Sequence, residues 1–181
     1  GHADGDKWVP GECDVSIRPG WFYHPSEDKK VKSVPELVDL YYRSVGRNAN
    51  FLLNFPVNRE GLISPLDSAN AVNYHQQIQQ ELSHNLLTGI RPIASNDRGK
   101  GFEASNVSDN KYDTYWATTD NVKSAVLTFT LSKATKINRL LLQEYIPLGQ
   151  RVKSFVVEYQ FKGKWNAIDP KEEMTTIGYK R

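Results

Sequence analysis

Trp8-Val9-Pro10-Gly11-Glu12-Cys13-Asp14-Val15-Ser16-Ile17-Arg18-Pro19-Gly20-Trp21-Phe22-Tyr23-His24 is the stretch on which the reading of this 181-residue sequence turns. Pro10, Gly11, Pro19 and Gly20 break any continuous helix, because proline lacks the backbone donor and glycine leaves the chain loose. Between those breakers Asp14 to Arg18 alternates polar and apolar with a period of two, which predicts a short strand. Two tryptophans, the carboxylates Glu12 and Asp14, Arg18 and His24 gather at its ends. That set suits a sugar: indole faces cover C–H surfaces while carboxyls move protons. It suits equally a buried loop whose tryptophans are core and whose charges pair locally, for example Glu12 with Arg18. The chemistry alone leaves both readings open.

Outward from this stretch, residues 25–32 (P-S-E-D-K-K-V-K) read as a charged surface loop. A helix follows. Ser33 caps it, Glu36 stands at the capping-box position, Val34, Leu37, Val38, Tyr41 and Val45 form its apolar stripe, and Gly46 supplies the stop. Arg47 and Asn48 are expected to satisfy carbonyls around that turn. The run Asn50 to Phe55, closed by Pro56, reads as a strand buried on both faces. A second helix opens with Ser64 as cap, Pro65 in the first turn and Asp67 near the positive end of the dipole. Its expected face is Ala71, Tyr74, Ile78, Leu82 and Leu86, which leaves His75 and His84 at the surface. Strand and helix alternating in this way is the rhythm of an α/β barrel, here a piece of one.

Near Thr88–Gly101 the composition changes and helical periodicity ends. Two domains are therefore expected, residues 1–88 and 89–181. In the second, alternation over Ala125–Leu131 and Phe155–Phe161, with a turn at Lys162-Gly163 before Trp165, predicts short strands of a β-sandwich. The sequence stops at Arg181 before enough strands have passed to close two sheets, so this half reads as incomplete.

The net charge of +2 argues against an electrostatic nucleic-acid binder. Cys13 is the sole cysteine, which excludes an internal disulfide framework. No apolar run is long enough to span a bilayer, and no leader precedes the motif. Asp4-Gly5-Asp6 opens like a calcium loop, but the later ligands do not follow, and a turn is expected.

Glu12 to His24, E-C-D-V-S-I-R-P-G-W-F-Y-H, resembles the signature of α-L-fucosidases of glycoside hydrolase family 29, in the branch acting on α-1,3- and α-1,4-linked fucose. Residues 44–55 (S-V-G-R-N-A-N-F-L-L-N-F) and 142–152 (L-Q-E-Y-I-P-L-G-Q-R-V) are similar to the same branch. Residues 105–118 (S-N-V-S-D-N-K-Y-D-T-Y-W-A-T) are similar to the opening of discoidin, or coagulation factor 5/8 type C, jelly rolls. The resemblance implies C-terminal segments of a (β/α)8-like catalytic barrel followed by a truncated jelly-roll sandwich. It implies a retaining enzyme releasing terminal L-fucose from glycans, needing no cofactor, secreted or periplasmic.

The resemblance also implies roles. Glu12 matches the general acid/base, its proton held by the apolar neighbours Val9, Cys13 and nearby tryptophans. Trp21, with Trp8 and His24 at the rim, would line the substrate. The nucleophilic aspartate and the histidines that grip fucose would lie in an N-terminal portion outside this sequence. Asp109 and Asp113 would hold a structural calcium ion of the sandwich. The partners implied are a fucosylated oligosaccharide and the remaining portion of the enzyme. The rival reading is a non-catalytic carbohydrate-binding module with Trp116 and Trp165 as its platform.

Overall fold

A computed structural model describes residues 4–7, 9–168 and 176–181; Trp8 lies outside the described residues. The chain forms two compact units, Val9–His84 and Asn85–Arg181, with residues 4–7 grouped with the second.

In the first unit β1 (Gly11–Ser16) pairs in parallel with β2 (Ala49–Asn54), in register from Gly11 opposite Ala49 to Ser16 opposite Asn54. Parallel neighbours need a long crossover, and α1 (Val34–Ser44) lies in it. Paired residues share a face, and faces alternate along each strand. Cys13, Val15, Phe51 and Leu53 therefore line one face, continued by the fully buried Ile17. This face meets the helices: the Phe51 ring stands edge-on to Tyr74 at 6.5 Å, and Tyr74 packs on Tyr41 at 6.5 Å. Glu12, Asp14, Ser16, Asn50, Leu52 and Asn54 line the other face, where Leu52 is 47% exposed. The expectation that this strand is buried on both faces is thus corrected. Within the unit β2 is covered on one side, because N-F-L-L-N-F hides an alternation of Asn50, Leu52 and Asn54 against Phe51 and Leu53.

The first helix starts as its sequence predicts. Ser33 donates its backbone N–H (2.8 Å) and its hydroxyl (2.7 Å) to the Glu36 carboxylate, closing the capping box. Those bonds hold the Glu36 carboxyl below its usual range. The helix ends differently. A 3-10 turn over Val45–Arg47 leads to Asn48 at φ 68°, so the left-handed stop is Asn48 and not Gly46. The charged segment before the helix is also more than a surface loop. Pro25–Lys30 forms a 3-10 turn, and Lys32 Nζ donates to the Ser16 carbonyl at 2.7 Å.

The second helix, α2 (Pro65–Leu82), places Ser64 at its N-cap position without a side-chain capping bond; the Ser64 carbonyl accepts from Ser68 N at 3.0 Å. Its inner face runs Asp67, Ala71, Tyr74, Ile78, Glu81 rather than onward to Leu82, which is 47% exposed. Steps of four alone walk off a face that advances about 3.6 residues per turn, and alternating steps of four and three stay on it. Glu81 accepts a 2.7 Å hydrogen bond from the Tyr42 hydroxyl of α1.

Burial between these helices raises the pKa of Tyr41 and pushes Tyr74 up to about 12, with the Tyr41 charge adding to the latter. A phenol raised in the folded state lends stability that is whole below its unfolded pKa and is lost as pH rises through the folded one. Titration followed at 295 nm should show a tyrosine fraction that ionises only toward pH 12, together with loss of the first unit. Complete tyrosine ionisation near pH 10 with the fold intact would contradict this packing.

In the second unit β3 (Ile93–Ala94) runs antiparallel to β4 (Leu127–Thr128), a shorter ladder than the alternation over residues 125–131 suggests. Strands β5 (Glu158–Phe161) and β6 (Lys164–Ala167) form the expected hairpin. Lys162 (φ 48°) and Gly163 (φ 78°) are both left-handed, the two-residue turn whose twist matches its strands. Leu142 and Arg181 exchange backbone hydrogen bonds of 2.8 and 2.9 Å, and Glu144 N donates to Gly178 O at 2.8 Å. Phe102, Tyr115 and Tyr145 make a ring cluster, the last two stacked at 4.6 Å. Among the described residues no helix is long and apolar enough to cross a membrane.

Candidate functional site

Ligands of parallel α/β sheets bind beyond the carboxyl ends of the strands, where the loops gather. In the first unit those ends are Ser16 and Asn54. Past Ser16 the chain makes one more ladder bond, Ile17 N to the Asn54 carbonyl at 3.0 Å, and then turns through Pro19-Gly20. The loop beyond carries Trp21 at 52% and Phe22 at 78% exposure, with His24 exposed beside them. An open aromatic surface at the strand ends is suited to the apolar face of a sugar ring.

What holds that loop is a buried ion pair. Arg18 and Asp67 are both fully buried. Arg18 donates through Nε to Asp67 Oδ2 at 2.7 Å and through Nη2 to Oδ1 at 2.8 Å, the planar two-bond fork that guanidinium and carboxylate form. Nη2 also donates to Asp28 at 2.9 Å and Nη1 to the His24 carbonyl at 3.3 Å, while the guanidinium lies 4.5 Å from the Tyr23 ring centroid. The Asp67 bonds, ahead of the contribution from Asp28 and against the cost of burial, raise the Arg18 pKa further above its ordinary value. Arg18 is therefore taken by Asp67 and Asp28, and the Glu12–Arg18 pair does not form. Asn54 completes the anchoring: its Nδ2 donates to Ser16 Oγ at 3.1 Å and to the Trp21 carbonyl at 3.2 Å.

Glu12 stands elsewhere. It is the second residue of β1, on the same strand face as Asp14 and Ser16. Four residues separate it from Ser16, about 13 Å of strand. Its side chain is exposed and has no hydrogen-bond or ion-pair partner among the described residues, and Val9 is 77% exposed. The apolar enclosure expected to hold its proton is not supplied by the described part of this unit. Asp14 likewise is exposed, and no side-chain hydrogen bond reaches it among the described residues. The structure thus puts Trp21 and His24 on the one loop past Ser16 and Glu12 near the other end of β1.

In the second unit Asp109 anchors a turn, accepting from Lys111 N at 2.9 Å and from the Thr114 hydroxyl at 2.7 Å, bonds that lower its pKa. Asp113 is exposed. Among the described residues no three His, Cys, Asp or Glu side chains gather as a metal site. Trp116 is half-buried and donates Nε1–H to the Asn96 carbonyl at 3.1 Å, whereas Trp165 on β6 is 55% exposed.

Comparison with known proteins decides the relationship. The chain is 39% identical over 186 residues to α-L-fucosidase 1 of Arabidopsis thaliana, covering all of this chain and 36% of the relative. A Bacteroides thetaiotaomicron structure provisionally named an α-L-fucosidase superposes with a TM-score of 0.92 at 44% identity, over 99% of this chain and 39% of that one. A family 29 fucosidase of Ruminococcus gnavus, solved in complex with fucose, matches with a TM-score of 0.90 at 35% identity, over 100% and 36%.

Over its whole length the chain is similar to α-L-fucosidases, among them a member of glycoside hydrolase family 29.

It spans about a third of the length of the relatives it matches. Residues 93–180, nearly all of the second unit, match the F5/8 type C domain. The similarity to fucosidases covers both units, the loop carrying Trp21 and the unit carrying Trp165 alike.

Proposed function

We propose that this chain is the C-terminal share of a retaining α-L-fucosidase that removes terminal α-1,3- or α-1,4-linked L-fucose from glycans. In that reading the β1–β2 pair belongs to a (β/α)8-like barrel, and Trp21 and His24 form part of the pocket rim. The single observation that carries it is the placement of exposed Trp21, Phe22 and His24 at the carboxyl end of two parallel strands, in a chain related throughout to fucosidases. The nucleophilic aspartate comes from the remainder of the enzyme, and the isolated chain is expected to be inactive. The test is hydrolysis of an aryl α-L-fucoside by the full-length enzyme, with the anomer of the first-formed fucose followed by NMR. Release of α-L-fucose supports retention; no cleavage by the full-length protein would sink the reading.

Motif resemblance assigns the general acid/base to Glu12, and we keep that role for it; the second carboxyl, which a retaining glycosidase needs about 5–5.5 Å away, comes from the remainder of the enzyme. Glu12→Gln in the full-length enzyme should lower kcat/KM for an unactivated fucoside by about 10²–10⁴-fold, what a general acid supplies, with good leaving groups spared and azide restoring turnover. Full activity of that variant on the unactivated fucoside would take the role from Glu12.

A further inference from the structure

Asn54 is the feature of the site that neither the motif nor the proposed chemistry uses. It is the last residue of β2, half-buried, opposite Ser16 in the ladder. Its amide Nδ2 spans two things at once, the Ser16 hydroxyl at the end of β1 and the Trp21 carbonyl in the loop beyond. On the loop's far side the His24 carbonyl is held by Arg18, which Asp67 fixes from α2. The segment from Pro19 to His24 is thus tied at its middle by Asn54 and at its end by Arg18. Trp21 sits at the middle tie, its indole half in solvent. A backbone fixed there loses freedom before any ligand arrives, and ordering cost saved in advance is returned as affinity.

We propose that Asn54 is a positioning residue which pre-orients Trp21 as a platform for the sugar on the leaving-group side of the scissile bond, and so favours oligosaccharide over small aryl fucosides. This rests on the fucosidase reading given above. The leaving-group side follows from placement: Trp21 lies on the loop past the strand ends, outside the sheet, where what projects from a pocket at those ends passes. Asn54 does not touch substrate in this account; its action passes through the Trp21 carbonyl.

The experiment is a double-mutant cycle in the full-length enzyme. It combines Asn54→Ala and Trp21→Ala, read on a trisaccharide bearing branch-point α-1,3/1,4-fucose and on p-nitrophenyl α-L-fucoside. Asn54→Ala should lower kcat/KM for the trisaccharide about tenfold, mainly through KM, while the aryl fucoside changes by less than about twofold. In the Trp21→Ala background the same change should add nothing beyond about twofold, since both act on one element. Asn54→Asp, which keeps the shape but cannot donate to the carbonyl, should behave as Asn54→Ala. It also serves as the second variant if alanine lowers the melting temperature. Equal losses on both substrates, or full additivity with Trp21→Ala, would overturn the positioning role while leaving the fucosidase assignment standing. A wild-type enzyme that cleaves neither substrate would instead remove the assignment itself.

Discussion

Asp67→Ala should destabilise the first unit by about 3–5 kcal/mol, the cost of stranding a buried charge whose partner has been removed. Arg18 is fully enclosed and directs two of its donors at Asp67, at 2.7 and 2.8 Å. Asp28 would remain, but a single bond at 2.9 Å from a carboxylate that is 47% exposed does not replace a two-bond fork inside the core. Urea unfolding of the full-length protein, followed by a probe in the first unit, should show a lower midpoint with little change in slope. The informative comparison is the double variant Arg18→Met with Asp67→Leu. Removing both charges removes the desolvation penalty along with the attraction, so it should be less destabilised than Asp67→Ala. A single-variant loss under about 1 kcal/mol would mean that water reaches Arg18 and that the pair is not a buried one.

The same pair explains what could be read in the sequence and what could not. The capping box of α1 was legible because its partners, Ser33 and Glu36, are three residues apart and the geometry is local. Asp67 stood in view as an acid in a helical first turn, where the dipole already gives it a reason to be. Nothing local says that its carboxylate turns inward to a residue 49 positions earlier. Asn48 was similarly masked: with Gly46 two residues before it, glycine is the expected left-handed stop, and only the backbone shows asparagine taking it. Polar residues that end strands, such as Asn54, carry no signal by themselves, because their meaning lies in which loop carbonyl they meet. Glu12 shows the opposite limit: a motif singles it out, while its place near the start of β1, exposed and without a partner among the described residues, carries no sign of a role.

In the second unit the largest effect is expected at Glu144, within the 142–152 run that resembles the fucosidase branch. Its carboxylate accepts three backbone N–H groups: Arg151 at 2.6 Å and Val152 at 2.7 Å on one oxygen, and Gly178 at 2.6 Å on the other. The Glu144 backbone N–H meanwhile donates to the Gly178 carbonyl, beside the paired Leu142 and Arg181. One side chain therefore ties the loop after Gly149 to the segment that returns along residues 142–144. Charge-assisted bonds are individually worth about 1.5–3 kcal/mol, but they share one half-buried carboxylate and water can replace some of them. Glu144→Ala should accordingly cost about 2–4 kcal/mol in all. Glu144→Gln should cost less, since one amide oxygen can still accept from Arg151 and Val152 while the amide nitrogen faces the Gly178 N–H. Hydrogen exchange locates the effect: the amides of Arg151, Val152 and Gly178 should lose protection together, ahead of global unfolding. If only one of the three is released, the carboxylate is a local turn anchor and not the tie between the two segments. If all three are released while the first unit keeps its protection, each unit holds its own structure.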